Sequence, residues 1–145
     1  MKIPQVLPWL DEREMAAVSS TVEANWITEG SKAKEFSSEL NKLIGTRYGV
    51  FAPNGTLALY LGLLSLNIGP GDEVLVPDCT FIASANAVIL TGAKPVFVDV
   101  NDYNFQIDVA LCDKLVTSNT RAIMPVHLYG MSANMNDVLD FSKRH

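Results

Sequence analysis

The feature that most constrains this chain is a repeated alternation of short apolar runs with longer helical stretches. Runs over 49–52, 74–77, 95–100 and 122–128 are separated by predicted helices at about 56–66, 81–90 and 109–116. A last helix is predicted over 135–143. Such alternation implies parallel strands, because each helical crossover returns the chain to the same edge of the sheet. Val96-Phe97-Val98 and Ile123-Met124-Pro125-Val126 lack polar alternation, as strands do when both faces are covered. The expected fold class is therefore α/β, a parallel-rich sheet with helices on both faces.

Turn chemistry sets the boundaries. Gly69-Pro70-Gly71-Asp72 is a compact turn before a strand, and Thr91-Gly92-Ala93 offers glycine where a left-handed cap ends a helix. Asp108 is placed to cap the helix that contains Leu111 and Leu115. Upstream, amphipathic helices are predicted over 12–24 and 33–44, flanking the irregular loop Asn25-Trp26-Ile27-Thr28-Glu29-Gly30. No internal repeat or interdomain linker interrupts the pattern.

Residues 48–71 carry no charge, and roughly 20 apolar residues are enough to cross a bilayer. Pro53-Asn54-Gly55 and Gly69-Pro70-Gly71 break that stretch, so a buried helix is expected and no membrane span. The net charge of −5, without a Lys/Arg block, argues against nucleic acid or anionic membrane as a partner. Cys79 and Cys112 lack a pairing or metal motif and are read as reduced thiols of a cytoplasmic protein. Met1-Lys2-Ile3-Pro4 lacks the apolar core of a signal peptide. No metal ligands are assigned.

Ligands of open parallel sheets bind at the carboxyl ends of the strands. That rule selects residues 53–56, 78–81, Asp99 and 127–130. Asn54-Gly55-Thr56 stands between a strand-like run and an apolar helix, and helix starts attract anions through unpaired N–H groups and the helix dipole. Gly55 permits close backbone approach, and the Thr56 hydroxyl adds a donor. On these residues alone the tripeptide is either an ordinary turn or a phosphate cradle. It is not the nucleotide kind, since neither G-x-x-x-x-G-K-[ST] nor G-x-G-x-x-G occurs. Phe81 is either a core residue of an apolar helix or a flat face for a ligand ring. His127 is a titratable group at a strand's carboxyl end, Asp99 reads as a strand-end cap, and Cys79 as a small packing residue.

Six segments in order carry a resemblance. They are Trp26-Ile27-Thr28-Glu29-Gly30, Asn54-Gly55-Thr56-Leu57-Ala58-Leu59, and Ile68-Gly69-Pro70-Gly71-Asp72-Glu73-Val74. Thr80-Phe81-Ile82-Ala83-Ser84-Ala85-Asn86-Ala87, Gly92-Ala93-Lys94-Pro95-Val96-Phe97-Val98-Asp99, and Pro125-Val126-His127-Leu128-Tyr129-Gly130 complete the set. Together they resemble the first part of the large, cofactor-binding domain of DegT-type (DegT/DnrJ/StrS) sugar aminotransferases, fold-type I enzymes that use pyridoxal phosphate. The resemblance implies that Gly55 and Thr56 hold the cofactor phosphate, that Phe81 stacks on the pyridine ring, and that Thr28 lies in the substrate-side loop. It further implies a structural hydrogen bond for Asn86, and for His127 a local or pocket-shaping role, since the family moves its proton with a lysine.

What the resemblance implies for the whole is amino transfer, from a donor such as glutamate to a keto sugar nucleotide, in amino-sugar or surface-polysaccharide biosynthesis. The expected organisation is an incomplete N-terminal part of the cofactor domain. Residues 1–46 form its helical segment with the substrate-side loop, and 47–145 its strand–helix units. In the family, the Schiff-base lysine and the acidic partner of the pyridine nitrogen follow the segment that residues 1–145 resemble. Lys94 and Lys143 are expected at the wrong edge, and Lys32, Lys34, Lys42 and Lys114 on solvent faces. The chain by itself is thus expected to be inactive, to bind cofactor weakly and noncovalently, and to form a homodimer or self-associate through exposed apolar surface. The alternatives are a noncatalytic α/β phosphate- or cofactor-binding domain, and a family member acting as a sugar dehydratase.

Overall fold

The computed structural model describes residues 3–4, 6–26 and 28–145. Contacts divide the chain into two compact units, Met1–Val50 and Phe51–His145. The first holds two helices, α1 (Glu12–Glu23) and α2 (Ser31–Ile44). Asp11 starts α1 with a reciprocal capping box: its carboxylate accepts from Arg13 N, and Glu14 Oε2 accepts from Asp11 N at 2.8 Å. A left-handed Gly45 ends α2, at φ 72°. Neither helix fully buries a side chain.

The second unit is a three-layer α/β/α arrangement. Its strands β1 (Glu73–Pro77), β2 (Lys94–Val98) and β3 (Thr120–Ile123) are all parallel, in the order β2-β1-β3. Central β1 is buried along its whole length, which explains its unbroken apolar sequence after Glu73. Alternate residues of β1 serve opposite faces. Val74 and Val76 pack with Leu63 of α3 (Gly55–Ser65) and with Ala87 and Val88 of α4 (Ala83–Leu90). Leu75 packs with Cys112 of α5 (Val109–Cys112) and Phe141 of α6 (Met135–Arg144). Each such aliphatic side chain contributes about 1.5–3 kcal/mol when fully buried.

Glu73 ties the amino edge together. Its carboxylate accepts from Lys94 Nζ at 2.8 Å and from Thr117 Oγ1 at 2.6 Å, joining the starts of β1 and β2 to the turn that leads into β3. These two hydrogen bonds, Lys94 first, hold its carboxyl below the ordinary 4.5.

Five sequence expectations are corrected. Residues 48–52 form no strand, and Val50 is 88% exposed. Apolar, β-prone sequence becomes a strand only where a neighbouring strand completes the ladder, and β1 already has β2 and β3 on its two sides. The third run stops at Val98, since Val100 instead forms an isolated antiparallel bridge with Ile107 around a turn that begins at Asn101. The fourth run pairs only over Thr120–Ile123; Met124 N still donates to Leu75 O at 2.9 Å, and residues 125–127 leave the sheet. Helix α5 is shorter than the predicted 109–116, and α4 begins at Ala83, so Phe81 precedes it. Gly92 (φ 82°) and Asp108, whose side chain accepts from Ala110 N, take their expected capping places.

Candidate functional site

Strand order decides where a ligand fits. From β1 the chain crosses through α4 on one face to β2, then through α5 on the other face to β3, on the far side of β1. The crossovers diverge between β1 and β3, which is where open parallel sheets place their ligands, at the carboxyl edge. Residues 78–82 leave β1 at that edge, and 124–127 leave β3.

Helix α3 precedes β1 through the turn Gly69–Asp72, in which Gly69 N donates to Asp72 Oδ2 at 2.9 Å. Its C-terminus is therefore at the amino edge of the sheet and its N-terminus at the carboxyl edge. Asn54 caps it, accepting from Leu57 N at 3.0 Å through Oδ1. Among the described residues, no group accepts from Gly55 N or Thr56 N, so two aligned donors remain at the positive end of an 11-residue helix.

Gly55 is unexplained by the fold around it. Its φ is not positive, and a Cβ built on it meets nothing within 4 Å. Neither backbone strain nor crowding excludes alanine there, although glycine in a helix costs about 0.5–1 kcal/mol against alanine. Such a glycine suits a partner that comes close to its backbone. The adjoining Thr56 is half-buried.

Phe81 is 74% exposed and lies outside α4, which removes the reading of it as a core residue of that helix. Beside it, Thr80 and Ser84 hydroxyls bond at 3.1 Å and fix the start of the segment. Asp99 accepts from Val100 N at 2.8 Å, a strand-end cap. Cys79 is half-buried and Asn86 exposed; among the described residues the Asn86 side chain makes no hydrogen bond, so its expected structural bond is not formed. His127 Nδ1 accepts from Ala133 N at 3.0 Å, a local bond of the expected kind.

Thr28 belongs to the first unit. With Trp26, Gly30 and Lys34 it lines a cavity of about 580 Å³ at the start of α2, whose N-cap Gly30 offers no side-chain acceptor. The Trp26 indole donates to Glu29 O at 3.0 Å, and a Cβ on Gly30 would meet that ring at 2.7 Å. Glycine at position 30 is thus required for the indole to pack over the loop. Ile27, in the same motif, lies outside the described residues.

The DegT/DnrJ/EryC1/StrS aminotransferase family model matches residues 8–145. The chain belongs to this family. It is 38% identical over 143 residues to the UDP-4-amino-4-deoxy-L-arabinose–oxoglutarate aminotransferase of Shewanella sediminis, covering 99% of this chain and 37% of that protein. It is 41% identical over 145 residues to the GDP-perosamine synthase of Caulobacter vibrioides, covering 99% and 39%. Among solved structures, the PLP-form of the putative sugar aminotransferase Spr1654 from Streptococcus pneumoniae superposes with a TM-score of 0.90 at 35% identity, covering 99% of this chain and 37% of that one. DesV of S. venezuelae, in complex with a ketimine intermediate, gives 0.86 at 38% identity, covering 92% and 36%. The chain therefore spans less than two-fifths of the length of these relatives. The fold of this family member is that of fold-type I aminotransferases.

Sequence reasoning missed the brace behind His127. Gln106 is 3% exposed, and its Nε2 donates to Leu128 O and Met131 O. Only the Asn/Asp cluster at 101–104 signalled a turn nearby. Nothing local marks the amide that crosses to a segment more than 20 residues away. Among the described residues no helix is long and apolar enough to cross a membrane, and no cluster of metal-ligating side chains occurs.

Proposed function

We propose that this family member forms the phosphate-holding and ring-covering part of a pyridoxal-phosphate-dependent aminotransferase, acting on a keto sugar nucleotide with an amino donor such as glutamate. The observation that carries the reading is Gly55: an uncrowded glycine at ordinary φ, heading a helix with two unused N–H donors. That donor set fits a phosphate dianion, with Gly55 N, Thr56 N and the Thr56 hydroxyl as its partners. Phe81 covers one ring face, an offset contact that also excludes water. Thr28, in its own cavity with Trp26, is the substrate-contacting residue of the first unit. When bound, pyridoxal phosphate supplies an electron-withdrawing ring for the carbon that is aminated.

Four of the lysines are engaged in ion pairs elsewhere, which supports the expectation that the covalent lysine is not among them. Lys94 is committed to Glu73 at the opposite edge, Lys143 pairs with Asp140, and Lys32 and Lys42 pair with glutamates on α2. In this reading the chain is the N-terminal part of the cofactor domain, in a cytoplasmic enzyme of amino-sugar or polysaccharide biosynthesis. The enzyme is a homodimer, and exposed Phe36, Leu43 and Ile44 on α2 supply apolar surface for association.

The test is titration with pyridoxal phosphate, read by hydrogen exchange over residues 54–58 and by mass mapping after borohydride reduction. Protection of those amides in wild type, at least tenfold weaker binding by Gly55→Ala, and no single-lysine adduct are expected. A stoichiometric adduct on one lysine of this chain, or unchanged binding by Gly55→Ala, overturns the assignment.

A further inference from the structure

Two backbone outliers stand near His127 in the fold. Tyr129 (φ 54°) and Phe105 (φ 56°) adopt left-handed conformations that side chains other than glycine's resist, and Gly130 follows at φ 79°. The two aromatic rings meet edge to face, with centroids 6.4 Å apart. Gln106 completes the lock: its Nε2 donates to Asn104 O (3.1 Å), Leu128 O (3.4 Å) and Met131 O (3.1 Å). Three carbonyls sharing the two hydrogens of one nitrogen fix the amide's orientation, because its oxygen could not take that place. The other end of the amide bears the cost. Oε1 is buried and, among the described residues, makes no hydrogen bond.

The segment held in this way carries His127 at the carboxyl edge. The Ala133 amide can only donate, so the Nδ1 that accepts it at 3.0 Å bears no proton. The ring is then the neutral Nε2–H form, and Nε2–H is an exposed donor with no partner among the described residues. Strain and an unsatisfied buried oxygen, both spent on one exposed imidazole, are features of a site rather than of a surface loop.

We propose that His127 contacts the ligand as a fixed hydrogen-bond donor, Nε2–H to an acceptor oxygen, and that Gln106 is its positioning residue. The inference rests on the ligand edge assigned to pyridoxal phosphate above. It makes His127 a donor rather than a general base. The acceptor oxygen belongs either to the cofactor or to the sugar nucleotide.

The experiment uses ¹⁵N-labelled protein at pH 8. The His127 ring nitrogens are expected to give one acceptor-type Nδ1 and one protonated Nε2. Pyridoxal phosphate and UDP-glucose are then added in separate arms, following the His127 Nε2–H and the Gly55 and Thr56 amides. A shift of Nε2–H in either arm supports the inference and names the source of the oxygen. Shifted Gly55 and Thr56 amides with an unmoved His127 in both arms overturn it and leave the phosphate reading standing. Unmoved Gly55 and Thr56 amides in the cofactor arm overturn the phosphate reading, whatever His127 does. An Nδ1–H tautomer in the free protein also overturns the inference. Gln106→Met should mix the tautomers and weaken the His127 response severalfold, while the Gly55 and Thr56 shifts persist. Should that variant not fold, the wild-type tautomer and shifts still decide.

Discussion

Lys94 Nζ donates to Glu73 Oε1 at 2.8 Å across the parallel pair β1–β2, where the two residues stand directly opposite in register. The contact marks the amino edge of the sheet and assigns Lys94 a structural task, 21 residues along the chain from its partner. It also separates the stabilising charges from the ligand edge.

Because the Glu73 carboxyl is held below its ordinary 4.5, the folded state binds its proton less readily than the unfolded state does. The stabilisation is fully present above 4.5 and disappears as pH falls through the depressed value. Thermal midpoints measured from pH 7 downward should drop through this window. Glu73→Gln should lower the midpoint at pH 7 and flatten the acid slope; an unchanged slope would show that the pair does not control acid stability.

Burial pushes the Cys112 thiol from 9.0 up to about 11, with Asp108 and Asp113 adding to the shift. A raised thiol value keeps the folded state protonated while the unfolded state ionises, so stability falls as pH rises from 9 to 11. By pH 10.5 the loss attributable to this group is on the order of 1 kcal/mol. Urea denaturation at pH 8 and pH 10.5 should show it in wild type and not in Cys112→Ala. A thiol reagent at pH 8 should label half-buried Cys79 and spare Cys112 until the protein unfolds.

Leu75 is completely buried at the centre of the sheet, on the face covered by α5 and α6. Leu75→Ala should cost about 2–5 kcal/mol in urea denaturation, from lost burial and the cavity left behind. Exposed Leu139 on α6 is the control, with a change to alanine worth within about 0.5 kcal/mol. Equal effects at the two sites would contradict this core.

Phe81 is exposed at the carboxyl edge and does not serve the core, so stability and ligand binding should separate there if it covers the cofactor ring as proposed. Phe81→Ala should change stability by no more than about 0.5 kcal/mol. Affinity for pyridoxal phosphate should fall by about 0.5–1.5 kcal/mol, several-fold, in an absorbance titration. A destabilised variant with unaltered affinity would return Phe81 to a packing role.

Much of the second unit was legible because its signals are local. The apolar run before Pro77, the turn at Gly69-Pro70-Gly71-Asp72 and the Asp108 cap each act within a few residues of themselves, and each formed as expected. The run at 49–52 carried the same local signal and failed as a strand, since its pairing partner is not written in its own sequence. The candidate site divides in the same way. Asn54-Gly55-Thr56 announced a helix start, whereas the exposure of Phe81 depended on where α4 begins.

By itself the sequence determined the α/β class and the helix start at Asn54-Gly55-Thr56, because propensity, capping and glycine placement are properties of neighbouring residues; the family followed from the resemblance of six ordered segments. Only the tertiary structure decided the strand order β2-β1-β3, the Glu73–Lys94 and Glu73–Thr117 ties, and the Gln106 amide locked onto the segment beyond His127. Those contacts join residues far apart in the chain. They form only after burial of the two sheet faces has offset the entropy of bringing the residues together.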